Sequence, residues 1–203
     1  MYALVEDGSI SKIITNPKAM VIGDVRYPSK IFQLWSKSEL NNIGIYEVIT
    51  DSTNKKDEAY YINTNEEYNF TDNQVTRSWG TATPKRLEDE NAVDENGDPV
   101  LDSDGEQLIN YGLKTDKKKI IKQQASGLLE KTDWHNHKAL DDETYTIPNN
   151  VKTYRANVRA KSNEMETQID ACTTVQELET LYTYTEQDDG SVTRPLAEFP
   201  KEI

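Results

Sequence analysis

The sequence predicts an α+β fold. It should hold a small N-terminal β-rich α+β unit, then an acidic linker or β-excursion, then a C-terminal helical hairpin with a third short helix. Three observations carry this. The start alternates β-branched and aromatic runs with Asp-Gly and Gly-Asp turn pairs. The stretch LEDENAVDENGDPVLDSDGEQL at 87–108 is acidic and dense in turn residues. From residue 113 onward the apolar residues take helical spacing. The predicted division is 1–83, 84–112 and 113–203.

The elements follow in order. Tyr2 to Glu6 and Ser9 to Ile14 flank Asp7-Gly8, a pair that supplies the positive φ angles of a type I′ hairpin turn. MVIGDVRYP repeats the pattern around Gly23-Asp24, and Pro28 ends that strand. In SKIFQLWSKSELNNIG, Ile31, Leu34 and Trp35 fall at helical spacing. Ser36 or Ser38 suits the cap of a second turn, and Gly44 suits its end. IYEVIT, AYYINT, EEYNF and QVTRSWGTAT read as strands, with TDN at 71–73 turning between the last two. TDKKKIIKQQASGLLEKTDW reads as a helix with Ile120 or Ile121, Ala125, Leu128 and Leu129 on its apolar face, started by Thr115 or Asp116. PNNVKTYRANVRAKSNEMETQIDAC reads as a second helix, loosened or bent at 161–164. TTVQELETLYT is a third, with a Thr174/Glu177 capping box. No internal repeat of fixed period stands out.

Composition narrows the function. Hydrophobic residues make up 35% of the 203, charged residues 29%, and mean hydropathy is -0.81, which suits several modest cores better than one large one. The net charge of -13 repels phosphate backbones, so the sequence predicts no nucleic-acid partner. The apolar runs are too short for a bilayer, and the start lacks the basic and apolar regions of a signal peptide, so no membrane partner is expected either. Cys172 is the single cysteine, which rules out an intrachain disulfide and a cysteine-based zinc site.

Chemical motifs are scarce. Asp133, His135 and His137 in DWHNH offer metal-ligand types, but His-x-His aligns two rings only on a strand, and this one follows a helix end. The expectation is a polar post-helix loop in which Trp134 plugs the helix pair near Tyr154 and Val158. DENGD and DSDGE resemble calcium loops in composition. Counted from Asp94 the sixth residue is Pro99, and from Asp102 it is Gln107, where an EF-hand needs glycine. There is no G-x-S-x-G, no phosphate-binding glycine loop, and no histidine placed to activate Cys172. The reading is therefore no enzyme, no cofactor and no metal. Trp35, Trp79 and the tyrosines read as plugs of small cores.

A resemblance then enters. Leu128, Leu129, Thr132, Asp133 and Trp134, a proline-containing connector, and Tyr154, Arg155 and Arg159 together resemble the phage tail fibre assembly chaperone family. In that family one helix ends in Leu-Leu-x-x-Thr-Asp-Trp and the next carries Tyr-Arg-x-x-Leu-Arg; Val158 here replaces the leucine. RYPSKIFQLWSKSELNNIGIYEVI is similar to the start of small phage tail-associated proteins. The resemblance covers about residues 115–165 well and 1–50 loosely. It implies protein–protein binding in tail or tail-fibre assembly, with phage tail or fibre proteins as partners and an oligomer as one form. The site would be the host cytoplasm during assembly. The alternative is a structural component of the virion tail, baseplate or fibre attachment. A metal-dependent enzyme using His135 and His137 is the remote third reading. On the residues themselves, Arg155 and Arg159 lie one turn apart, placed to pair with Asp133 or with a helix C-terminus.

Overall fold

Asp7 and Gly8 take positive φ (50° and 76°), so β1 (Tyr2–Glu6) and β2 (Ser9–Ile14) close into the expected hairpin. The computed structural model describes residues 1–203 and divides them into two units, Met1–Pro84 and Lys85–Ile203. The class is α+β.

In the first unit a bulge sets the register. Leu4 faces Lys12 and Val5 faces Ile10, which leaves Ser11 unpaired; its hydroxyl donates to the Leu4 carbonyl at 3.3 Å. The extra residue turns Ile10 and Ile13 to one face of the strand and Ile14 to the other. A second hairpin joins β3 (Met20–Ile22) to β4 (Val25–Tyr27) through Gly23, whose φ is 56°. After Pro28 comes α1 (Ile31–Leu34). Ser36 then caps α2 (Lys37–Asn42): its Oγ accepts from the Glu39 amide while Glu39 accepts from the Ser36 amide at 2.8 Å. The Ser36 hydroxyl, donating to the Glu39 carboxylate at 2.7 Å, and then the Ser36 amide hold that carboxyl below its usual value.

Gly44 (φ 82°) leads into β5 (Ile45–Thr50). The stretch around Tyr61 contributes only the two-residue β6 (Tyr61–Ile62), shorter than AYYINT suggested. β7 (Glu66–Thr71) and β8 (Gln74–Trp79) form a hairpin whose turn residues, Asp72 and Asn73, both have positive φ; β9 (Thr83–Pro84) pairs with β6. The main sheet runs β2-β1-β5-β8-β7, with β5 and β8 parallel, and it curls until β2 and β7 approach. Strand alternation gives it two cores. Leu4, Ile14 and Ile45 pack with Ile31, Phe32 and Leu40 from the short helices. Ala3, Val5 and Val75 pack with Tyr46, Val48 and Phe70 on the other face.

The second unit begins with the acidic segment, which is built into it as a β-excursion and does not stand apart as a linker. β10 (Glu90–Asn91) and β11 (Ile109–Asn110) form a stem, and two further hairpins leave it, bridged at Val93–Pro99 and Leu101–Gln107. An eight-residue repeat underlies the pair. VDENGDPV (93–100) and LDSDGEQL (101–108) align, which corrects the expectation of no fixed-period repeat. In each, the first aspartate's Oδ1 accepts two amide N–H groups: Asn96 and Asp98 for Asp94, Asp104 and Glu106 for Asp102. For Asp94 these bonds lower the carboxyl's pKa.

α3 (Leu113–Glu130) starts earlier than Thr115 or Asp116, with Gly112 at its N-cap. The reason is tertiary. The segment leading into the stem supplies the partners that a helix start lacks: the Leu113 and Lys114 amides donate to the Arg86 and Leu87 carbonyls, and the Gly112 amide to Asp89 at 2.7 Å. α4 (Asp133–Asp141) follows, then α5 (Asn149–Ala171), which is continuous through 161–164. Ser162 is buried there and Lys161 pairs with Glu164 at 2.7 Å, so the polar run lies on the helix without breaking it. α3 and α5 are antiparallel. Lys118 reaches Asp170 at 2.7 Å, Lys122 reaches Glu166 at 3.2 Å, and the far end of α3 meets Arg155.

The expected capping box of Thr174 and Glu177 starts α6 (Val175–Tyr182), and β12 (Thr185–Glu186) pairs with β13 (Val192–Thr193). Met165, Ile169, Leu178 and Leu196 are fully buried. Burial pushes the Tyr182 phenol up to about 12 from its ordinary 10, despite the Arg194 guanidinium over its ring. The unfolded chain would lose that proton first, so folding stability should fall as pH rises from about 10 to about 12. Alkaline absorbance titration should show a late phenol that is missing in Tyr182→Phe, besides that of Tyr68, which its hydrogen bond to Glu66 also raises.

Candidate functional site

The residues that carry the resemblance fall around the break between α3 and α4. Leu128 and Leu129 pack against a core of Ala125, Tyr154 and Val158, which Phe199 also joins. Arg155 on α5 reaches into the break. One guanidinium nitrogen, Nη1, donates to the Leu129 carbonyl and to Thr132 Oγ1, both at 2.7 Å; Nη2 pairs with Asp133 at 2.7 Å. The Arg155 side chain is only 10% exposed, and Thr132 is buried. Thr132 Oγ1 donates in turn to the Leu129 carbonyl at 2.9 Å.

The chemistry of this junction is that of a cation at a helix C-terminus. The last carbonyls of α3 have no intrahelical partner and carry partial negative charge. Leu129 O receives the Thr132 amide, the Thr132 hydroxyl and the guanidinium. Asp133 adds a full negative charge in the first turn of α4. The planar fork of arginine satisfies three acceptors in different directions, which lysine cannot do from one ammonium without losing geometry. Arg159 stays outside. It is exposed, and its Nη1 donates at 3.4 Å to the Arg155 carbonyl on its own helix.

Two expectations are corrected here. DWHNH is the start of α4, a nine-residue helix, and not a polar loop. Chain propagation resumes because the break is held from outside by Arg155, with no glycine or proline to stop it. Trp134 does not plug the α3–α5 pair near Tyr154 and Val158. It is 54% exposed and stacks on His135 with ring centroids 3.7 Å apart. The restart of the helix at Asp133 sends the indole outward, and Leu128 and Leu129 with Phe199 fill the place reserved for it. Trp134→Ala should therefore cost under about 1 kcal/mol in denaturant unfolding, well below the 3–5 kcal/mol of an emptied aromatic core site.

His135 and His137 do not converge. Two residues apart on a helix, they leave it in different directions. His135 Nδ1 is engaged by the Tyr145 hydroxyl at 2.5 Å, and Lys138 lies 4.4 Å over the Tyr145 ring. No group of three or more His, Cys, Asp or Glu side chains is arranged to hold a metal ion. Cys172 is buried, and desolvation pushes its thiol up, the opposite of what a nucleophile needs.

Sequence reasoning missed several structural groups. Lys114 is among the buried residues and pairs with Glu88 at 2.5 Å. Gln168 holds the C-terminal segment, accepting from the Ala197 amide at 2.8 Å and donating to the Pro195 carbonyl at 3.2 Å. Gln107 sits at the centre of the acidic excursion. Only the last had a visible signal, the matched Asp-to-Gly spacing of the two repeats. No helix is long and apolar enough to cross a membrane. Comparison of this chain with protein-family models, with curated proteins and with solved structures gives no match.

Proposed function

We propose that this is a bacteriophage protein of tail or tail-fibre assembly that works by binding other proteins, chaperone-like, in the host cytoplasm. One observation supports the reading. The two stretches whose residues resemble the tail fibre assembly chaperones, 128–134 and 154–159, meet at a single junction through Arg155. Six of the eight residues of the resemblance thus share one structural unit, while Trp134 and Arg159 stay outside it. Binding is the proposed mode of action because the chemically competent side chains share no site: His135 is engaged by Tyr145, His137 leaves the helix in another direction, and Cys172 is buried.

Quantitative mass spectrometry of purified phage particles and of infected-cell lysate tests this. An assembly factor should be abundant in lysate in complex with tail or fibre proteins and missing from particles. Stoichiometric presence in particles would move the assignment to a virion component of the tail, baseplate or fibre attachment. A lysate in which the protein meets no tail or fibre protein would end the proposal.

A further inference from the structure

We propose that the three-armed acidic sheet at 90–110 is a docking face for a cationic protein surface carrying an apolar patch. This names the surface and the partner chemistry of the binding role proposed above, and it rests on that role being binding.

The arms meet at a closed ring of backbone hydrogen bonds. The Ala92 amide donates to the Leu108 carbonyl at 2.8 Å, Val100 to Ala92 at 3.0 Å, and Leu108 to Val100 at 2.9 Å. Gln107 Nε2 lies over the centre, 2.8 Å from Ala92 O, 3.1 Å from Val100 O and 2.9 Å from Leu108 O. Residues paired across an antiparallel ladder point to one face, and so do residues two apart along a strand. The pairs Asn91–Ile109, Val93–Pro99 and Leu101–Gln107 therefore share the face that Gln107 covers. Val93, Pro99, Leu101 and Ile109 ring the central amide. Glu90, Asp98 and Glu106 fall on the opposite face with Ala92, Val100 and Leu108.

This layer has no core of its own. No residue from 90 to 111 is buried, and Val93, Leu101 and Ile109 are 57%, 55% and 45% exposed. Backbone bonds and one glutamine amide hold the shape, and the aliphatic ring is left in water. Clustered exposed aliphatic residues on an ordered surface mark an interaction site. Charge selects the occupant. Residues 87–112 carry nine Asp and Glu and no Lys or Arg, and the flanking Arg86 and Lys114 offset two of them, Glu90 and Glu88. Glu95 and Asp104 lie in the turns at the arm tips, both exposed. Such a field repels phosphate, whether of nucleic acid or of an anionic membrane, and draws in a basic protein face. The ring then supplies the contact that charge alone cannot make specific.

Fluorescence polarisation of the full chain against three labelled peptides tests the proposal. One alternates lysine with valine, one lysine with serine, and one glutamate with valine. The lysine–valine peptide should bind at least about tenfold more tightly than the lysine–serine one, and the glutamate–valine peptide should not bind. Leu101→Ser should erase that preference. Leu140→Ser, which removes an exposed leucine from α4, should keep it. Glu95→Lys with Asp104→Lys should weaken the lysine–valine peptide at low salt. Amide-exchange protection at Val100 and Leu108 reports whether the ring survives in each variant. Equal affinity for the two lysine peptides, an unchanged preference in Leu101→Ser with the ring intact, or binding to anionic vesicles would overturn the proposal. None of these outcomes bears on whether the protein is found in phage particles, so the two proposals fail separately.

Discussion

Arg155→Ala should lower the unfolding free energy by about 2–4 kcal/mol. The side chain is nearly buried and serves three acceptors: the Leu129 carbonyl, the Thr132 hydroxyl and the Asp133 carboxylate. Its removal takes two charge-assisted bonds and an ion pair from the α3–α4 break. Hydrogen bonds to charged groups contribute about 1.5–3 kcal/mol, and a buried acceptor left unpaired costs desolvation in addition. Asp133 is 44% exposed, so water takes over part of its role and keeps the total short of the upper end of the about 3–5 kcal/mol of a fully buried broken pair. Arg155→Lys should recover the charge but not the fork, and fall about midway. Asp133→Asn should cost about 1 kcal/mol or less, as for a partly exposed pair. Urea unfolding of the three variants decides the matter. A loss under about 1 kcal/mol for Arg155→Ala would mean that the α3–α5 apolar contacts alone hold the junction.

Gly112→Ala should cost about 3 kcal/mol, although its φ of -91° is open to any residue. The obstacle is contact. An added Cβ would lie 2.4 Å from the Glu88 carbonyl oxygen and 2.5 Å from the Leu87 oxygen, both backbone atoms. Relief requires moving residues 87–88 away from the start of α3. That strains or breaks the bonds from Gly112 to Asp89, from Leu113 to Arg86 and from Lys114 to Leu87. Overpacking costs about 1–3 kcal/mol, and the lost bonds add to it. Gly127→Ala is the contrasting case. It lies inside α3 with nothing within 4 Å, so the methyl group meets no obstacle and helix propensity should stabilise the protein by about 0.5–1 kcal/mol. Thermal unfolding should move in opposite directions for the two. If Gly112→Ala unfolds like the parent, the segment 86–89 does not hold the helix start.

The sequence by itself determined the local structures. Asp7-Gly8 and Asp72-Asn73 adopt positive φ because their own side chains and backbone permit it, and each turn sets the register of the strands beside it. Ser36 with Glu39 and Thr174 with Glu177 close capping boxes within four residues of chain. The 3–4 spacing of Val151, Tyr154, Val158, Met165 and Ile169 places all five on the buried face of α5. Each of these outcomes depends on neighbours a few positions away, so the letters sufficed.

The tertiary structure decided the rest. The early start of α3 depends on carbonyls at 86 and 87, and the break before α4 depends on an arginine 23 residues beyond Thr132. The outward turn of Trp134 follows from that break, because one restarted helical turn rotates the indole off the buried face. The three-armed sheet hangs on Gln107 and on a hydrogen-bond ring among positions 92, 100 and 108. At the start of α3 and at the break before α4 the partner that satisfies a backbone group comes from a distant segment. Which distant segment arrives is set by packing, and local propensity carries no record of it.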